Sequence, residues 1–101
     1  MVHRIRLGPP WEATVEAGRT HWVRRFGRPR TLSPQERIWL VCDALPRETE
    51  VSLNDTNLGV APGGPFAADI TRLLAARNRV VLLTSSATPV GEVALEIRAD
   101  S

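Results

Sequence analysis

Polar and apolar residues alternate with a period of two along most of this chain, the pattern of strands that bury one face and leave the other in water. Glu92 to Arg98 is the clearest case, with Val93, Leu95 and Ile97 set between Glu92, Ala94, Glu96 and Arg98. Val2 to Leu7, Trp11 to Val15 and Thr20 to Phe26 follow the same period. In Thr20 to Phe26, one face holds Trp22, Arg24 and Phe26 and the other holds His21, Val23 and Arg25. Glu36 to Asp43 is more continuously apolar, with Ile38, Leu40 and Cys42 on one side and Trp39 and Val41 on the other. That run predicts a central strand covered on both faces, with Trp39 in the core. Arg79 to Thr84 is a second buried run.

The breaks between these segments carry turn chemistry. Gly8-Pro9-Pro10, Ala17-Gly18-Arg19, the loop from Gly27 to Pro34, and Ala44-Leu45-Pro46-Arg47 each end a strand, and Ser85 to Pro89 is a polar turn before the last one. The most informative stretch runs from Val51 to Asn78. Its first strand, begun at Glu48, ends where Asn54-Asp55-Thr56-Asn57 supplies side chains that bond the local backbone and tolerate left-handed conformations. The chain then reverses into a hairpin at Leu58. Pro62-Gly63-Gly64-Pro65 can continue no ladder, so the next strand is expected to begin at Phe66. Asp69 or Thr71 is placed to cap a short helical turn near 71–76, before Asn78 stops it. Roughly eight short strands separated by turn signals at intervals of about 8 to 12 residues predict one antiparallel β-sandwich over residues 1–101.

Within that stretch the order Val51-x-Leu53-Asn54, Leu58-Gly59, Gly63-Gly64-Pro65-Phe66, Asp69-Ile70-Thr71, Leu73-Leu74 and Asn78-x-Val80 resembles the N-terminal sugar-binding domain of glycoside hydrolase family 2, the β-galactosidase and β-glucuronidase family. Upstream, His21-Trp22-Val23-Arg24-Arg25-Phe26 with Pro29, and Arg37-Ile38-Trp39-Leu40, are similar to earlier strands of the same domain. The resemblance covers residues 20–98 and implies a galactose-binding-like jelly roll that serves a separate catalytic domain. One departure stands at the hairpin turn, where Asp55 replaces the family's usual glycine.

Length and composition narrow the classes. At 101 residues the chain is too short for a catalytic barrel of about 250 residues. Cys42 is the single cysteine, so there is no internal disulfide, and no apolar run of about 18 residues marks a membrane span. Met1 to Arg6 lacks a secretory signal's apolar core, so with Met1 as the natural start a cytoplasmic location is expected. All 13 basic residues are arginine. Residues 1–37 hold eight of them against three acids, a net +5, while residues 38–101 hold five against eight acids, a net −3. A sandwich interleaves early and late strands, so these charges are expected to pair across the fold.

Candidate chemistry follows from the same positions. His3, His21 and Cys42 lack the short spacing of a metal set, and Cys42 falls on an apolar face where a thiol is inert, so no metal or cofactor is expected. Glu92 with Glu96, and Glu48 with Glu50, read as solvated strand faces and not as a catalytic pair. Asn54, Asp55, Asn57 and Asp69 carry oxygens that suit calcium, but turn formation accounts for them better. Sugars offer an apolar ring face with polar edges, so an aromatic platform beside amides, carboxylates or arginines suits them. Trp11 and Trp22 are the candidate platform, and Arg28, Asn54, Asp55 and Asn57 are the candidate polar partners. Arg24, Arg25, Arg28 and Arg30, interleaved with Trp22 and Phe26, raise a nucleic-acid reading that alternation weakens by splitting Arg24 from Arg25. The expected function is non-catalytic, weak carbohydrate binding by loops at one end of the sandwich. The alternative is a structural or protein-interaction module that no longer binds sugar, and its edge strands would suit a protein partner or a second copy of the chain.

Overall fold

The computed structural model describes residues 2–85 and 90–99. Met1, on which the cytoplasmic expectation rests, and most of the polar turn before the last strand, 86–89, lie outside the described residues. Nine strands run through the described residues: β1 (Val2–Arg6), β2 (Glu12–Glu16), β3 (Arg19–Gly27), β4 (Glu36–Leu45), β5 (Thr49–Leu53), β6 (Thr56–Ala61), β7 (Gly64–Asp69), β8 (Arg77–Thr84) and β9 (Val93–Ala99). A four-stranded sheet in the order β1-β9-β4-β7 faces a five-stranded sheet in the order β2-β3-β8-β5-β6, and all neighbours are antiparallel. The expected β-sandwich is therefore observed, and no helix among the described residues is long and apolar enough to cross a membrane.

The core is made where the two inner faces meet. Ile38, Leu40 and Cys42 from β4, with Leu95 and Ile97 from β9, pack on Val80 and Leu82 from β8 and Val51 and Leu53 from β5. Trp11, Trp22, Phe26 and Phe66 lie half-buried against this cluster. Leu82 and Leu40 are fully enclosed, so truncating either leaves a cavity as well as losing apolar contact.

Three expectations change at this level. Trp39 is not in the core: alternation along β4 turns it to the outer face of the four-stranded sheet, where it is half-buried beneath the Arg98 guanidinium, 4.6 Å from the ring centre. The continuous apolar run in β4 therefore reflects one packed face and one face covered by a long arginine side chain, not a second layer of structure. The strand after the glycine-proline loop begins at Gly64 instead of Phe66, because Gly64 pairs with Leu45 across an irregularity in β4. Pro65 is tolerated there because β7 is an edge strand. The helical turn is a single 3₁₀ turn over Thr71–Leu73, and Leu74 is already extended at φ −70° and ψ 134°. It stops short because the Thr71 hydroxyl is engaged by the Asp69 carboxylate and by the backbone of Ile38, which ties this turn to β4.

The opposite charges of the two halves pair much as composition suggests. Arg4 of β1 bonds Asp43, Glu92 and Glu96 at 3.0, 2.9 and 2.7 Å; Arg19 reaches Glu50, and Arg37 reaches Asp69. Arg30 instead pairs with nearby Glu36 at 2.6 Å. The Arg30 guanidinium, with help from the Ser33 backbone N–H, lowers the Glu36 carboxyl from 4.5 to about 2. Glu96 is lowered too, chiefly by Arg98; Asp69 is lowered because Arg37 and Thr71 together outweigh the opposing effect of burial. A folded-state value below the unfolded one stabilises the fold fully above the unfolded value and loses that contribution as pH falls through the folded one. The Glu36 side chain is thus expected to titrate near pH 2 when followed by carbon-detected NMR, and the urea midpoint is expected to fall between pH 4.5 and 2. In Glu36→Gln that fall should be smaller, and a Glu36 midpoint at the unperturbed 4.5 would contradict the pairing.

Candidate functional site

Two hollows open on the surface near the sequence-predicted residues, and they share no lining residue. The first forms where the chain crosses from the four-stranded to the five-stranded sheet between β1 and β2. Leu7 extends the pairing with β9 through its N–H to the Val93 carbonyl at 2.8 Å. Beyond it, the Trp11 indole N–H donates to the Leu7 carbonyl at 3.0 Å, and the Arg24 Nε–H donates to the Gly8 carbonyl at 2.7 Å. The crossing is thereby clamped from both sides. From β3, the Trp22 indole N–H donates to the buried Thr84 hydroxyl at 3.2 Å. Each indole packs on the core, and both border one groove of about 330 Å³.

The rim of that groove is polar. Arg6 on β1 and Glu92 just before β9 both line it, joined by an ion pair of 3.3 Å between the Arg6 Nε and Glu92. Arg6 is exposed over 68% of its side chain, so the pair is weak and open to exchange with a ligand's hydroxyls. Sequence reasoning found the aromatic wall and missed these two polar groups. They are distant in sequence and meet only through the register that sets Arg6 opposite Ala94.

The polar partners expected for the tryptophans lie elsewhere. Asn54 and Asp55 form the hairpin turn itself, with positive φ of 50° and 68°, the signature of a two-residue turn whose twist suits antiparallel strands. Asp55 thus adopts the conformation for which glycine is favoured, so the departure from the family pattern leaves the turn intact. The Asn54 amide is spent on structure: its Nδ2 donates to the Leu73 carbonyl and to Asn78 Oδ1, and its Oδ1 accepts from the Arg79 N–H at 2.8 Å. Asn57 Oδ1 accepts the Gly59 N–H at 2.7 Å. Arg28 is exposed at the far end of β3, where its backbone N–H bonds the Ala76 carbonyl. None of these four lines the tryptophan groove.

Asn78, singled out only as a stop, proves to be the hub of this end of the sandwich. It is almost wholly buried; its Oδ1 accepts from Ala75 N–H and Asn54, and its Nδ2 donates to the Ala75 carbonyl at 3.0 Å. The remaining candidates stay apart. His3 and His21 sit in different sheets and Cys42 is buried, its thiol pushed up to about 12, first by burial and then by Asp43. Among the described residues no three histidine, cysteine or carboxylate groups gather as a metal site. Of the basic cluster, Arg24 is bonded to backbone carbonyls, Arg25 to Glu12 and Arg30 to Glu36, while Arg24 and Arg25 border a third hollow with Arg6 and Phe26.

No sequence family and no curated protein matches the chain. Solved structures do match it in fold. An FMN-binding β-glucuronidase from Facaelibacterium prausnitzii L2-6 superposes with a TM-score of 0.78 at 19% identity, over 98% of this chain and 23% of that one. A β-glycosidase from Bacteroides vulgatus gives 0.65 at 21% identity over 82% of this chain and 12% of that one. A β-glucuronidase from Bifidobacterium dentium, solved with coumarin-3-O-glucuronide, gives 0.65 at 19% identity over 80% of this chain and 21% of that one. This chain thus has the fold of a small domain within glycosidase chains, and spans less than a quarter of their length.

The roles of the two asparagines are separable by stability. Asn78→Ala strands buried donors and acceptors and is expected to cost about 2 to 3 kcal/mol in urea unfolding. Asn54→Asp keeps the Oδ1 acceptor for Arg79 but loses the Nδ2 donor, and a cost of roughly 1 to 2 kcal/mol is expected. An unchanged urea midpoint in both variants would show that the amide pair does not hold this end together.

Proposed function

We propose that this domain is a non-catalytic carbohydrate-recognition module that holds a saccharide weakly against Trp11 and Trp22. The observation that carries the reading is the meeting of two immobilised indoles with Arg6 and Glu92 around one groove. A sugar ring laid on an indole removes its C–H face from water, and the exposed guanidinium and carboxylate take its hydroxyls. Much of each indole's area is already committed to the core, so the contact is small and the affinity low. The fold shared with parts of glycosidase chains supports a carbohydrate setting, and the short span of that match supports an accessory role.

The carboxylates support the non-catalytic part. Glycoside hydrolysis needs one carboxyl held protonated near neutrality, with a second carboxylate about 5 to 10 Å away. The shifted carboxylates here, Glu36, Asp69 and Glu96, all move the opposite way, because each is bound to an arginine. None is suited to deliver a proton to a leaving group.

One observation favours the alternative of a structural or protein-interaction module. Both indole N–H groups are already donated, to Leu7 and Thr84, so neither is left for a sugar oxygen. Tryptophan emission followed through a panel of mono- and oligosaccharides separates the two. Saturable changes are expected for the native chain, with affinity weakened roughly tenfold in Trp11→Ala and also reduced in Arg6→Ala, which leaves the core untouched. A flat response to every sugar would sink the carbohydrate reading and leave the interaction module.

A further inference from the structure

The second hollow is of opposite character. It lies at the far end of the five-stranded sheet, where the β3–β8 register sets Arg25 directly opposite Arg79 and Gly27 opposite Arg77. Like charges placed directly across a strand pair repel, so this arrangement costs stability unless something offsets it. Two flanking acids do so in part: Glu12 on β2 lies 3.1 Å from Arg25, and Asp55 at the hairpin turn lies 2.7 Å from Arg79. Both pairs stand in water, with Asp55 exposed over 83% of its side chain, so they are weak and exchangeable. Arg77 is exposed and makes no ion pair among the described residues. Guanidinium groups thus outnumber carboxylates at this end.

Glycine makes the space. Alternation places Gly27 on the same face as Arg25, and with no side chain there the ground between Arg25, Arg77 and Arg79 stays open. A Cβ built at Gly27 would meet nothing nearer than the Ala76 carbonyl at 3.9 Å. The result is an open hollow of about 610 Å³ bordered by three guanidinium groups, Gly27 and Phe26.

We propose that this hollow binds a small oxyanion, a carboxylate, sulfate or phosphate group carried on a soluble ligand, through Arg25, Arg77 and Arg79. The planar fork of a guanidinium presents paired N–H donors that match two oxygens of such a group. A bound anion removes the repulsion between Arg25 and Arg79, and the exposed pairs with Glu12 and Asp55 give way to it. No residue borders both this hollow and the tryptophan groove; a third hollow shares Arg6 and Leu7 with the groove and Arg25, Phe26 and Gly27 with this one.

The test is an NMR titration of ¹⁵N-labelled protein with sulfate, phosphate, glucuronate and neutral glucose, at ionic strength held constant with chloride. Saturable shifts are expected at the Nε–H and backbone signals of Arg25, Arg77 and Arg79, and none there with glucose. Arg77→Gln, which breaks no side-chain bond among the described residues, should weaken binding about tenfold or more. Gly27→Val should weaken it comparably by filling the hollow while leaving every charge in place. Binding of sulfate and phosphate above glucuronate identifies an ester group as the ligand, and the reverse order identifies a uronate. Shifts no larger than chloride produces, equal affinity in Arg77→Gln, or binding of a single-stranded oligonucleotide with no response to the small anions would each overturn the proposal.

Discussion

Every surface feature of this domain depends on the mating of β4 and β9 in one sheet with β8 and β5 in the other. These strands supply nearly all the fully enclosed side chains, among them Ile38, Leu40, Leu95, Leu82 and Leu53. An interior so apolar cannot leave a polar group unpaired, since an unmade hydrogen bond there costs about 1 to 3 kcal/mol. The few buried polar residues, Thr20, Thr49, Asn78 and Thr84, accordingly stand near strand ends and turns, and no buried side-chain nitrogen or oxygen among the described residues lacks a partner. Two of them shape the candidate sites. Thr84 fixes the Trp22 ring, and Asn78 fixes Asn54 of the hairpin turn, whose Oδ1 accepts the Arg79 N–H.

Charge is organised by the same packing. A sandwich brings the arginine-rich early strands beside the acidic later ones, so Arg4, Arg6, Arg19 and Arg37 find carboxylates from the second half of the chain. That leaves little free positive charge on β1 and β4. The exception is the β3–β8 end, where Arg25 and Arg79 are forced opposite each other and Arg77 makes no ion pair among the described residues. The arginines around the proposed anion site are therefore one member of the dense run from Arg24 to Arg30, Arg25, together with Arg77 and Arg79 from a distant segment.

The period of two made most strands legible, since an apolar face that must be covered leaves little freedom in register. It failed where coverage came from an unexpected source. Trp39 reads as core because an apolar residue beside Ile38 and Leu40 suggests a second packed layer, yet the Arg98 side chain covers it instead. Gly64 and Pro65 read as loop because neither favours a ladder, yet an edge strand demands little of its outer margin, and β7 begins there. The six-residue helical turn shrank because Thr71 bonds the backbone of Ile38 in β4, Asp69 bonds Thr71 and Arg37, and Asn78 bonds Ala75 and Asn54, which engages these side chains outside a helix.

For the candidate sites the division is sharper. Local chemistry in the sequence determined the sandwich, the Asn54-Asp55 turn, the inert Cys42 and the aromatic half of the groove, because each follows from residues near one another along the chain. It did not determine which polar groups face the tryptophans. Arg6 and Glu92 are joined by the β1–β9 pairing, while Asn54 and Asn57, chemically suited to a ligand, are consumed by the backbone around them. Nor does any local pattern show Arg25 against Arg79. Only the tertiary register decides that, because the partner of a side chain across a sheet is set by how whole strands align to bury their apolar faces, and a shift of one residue would exchange every partner.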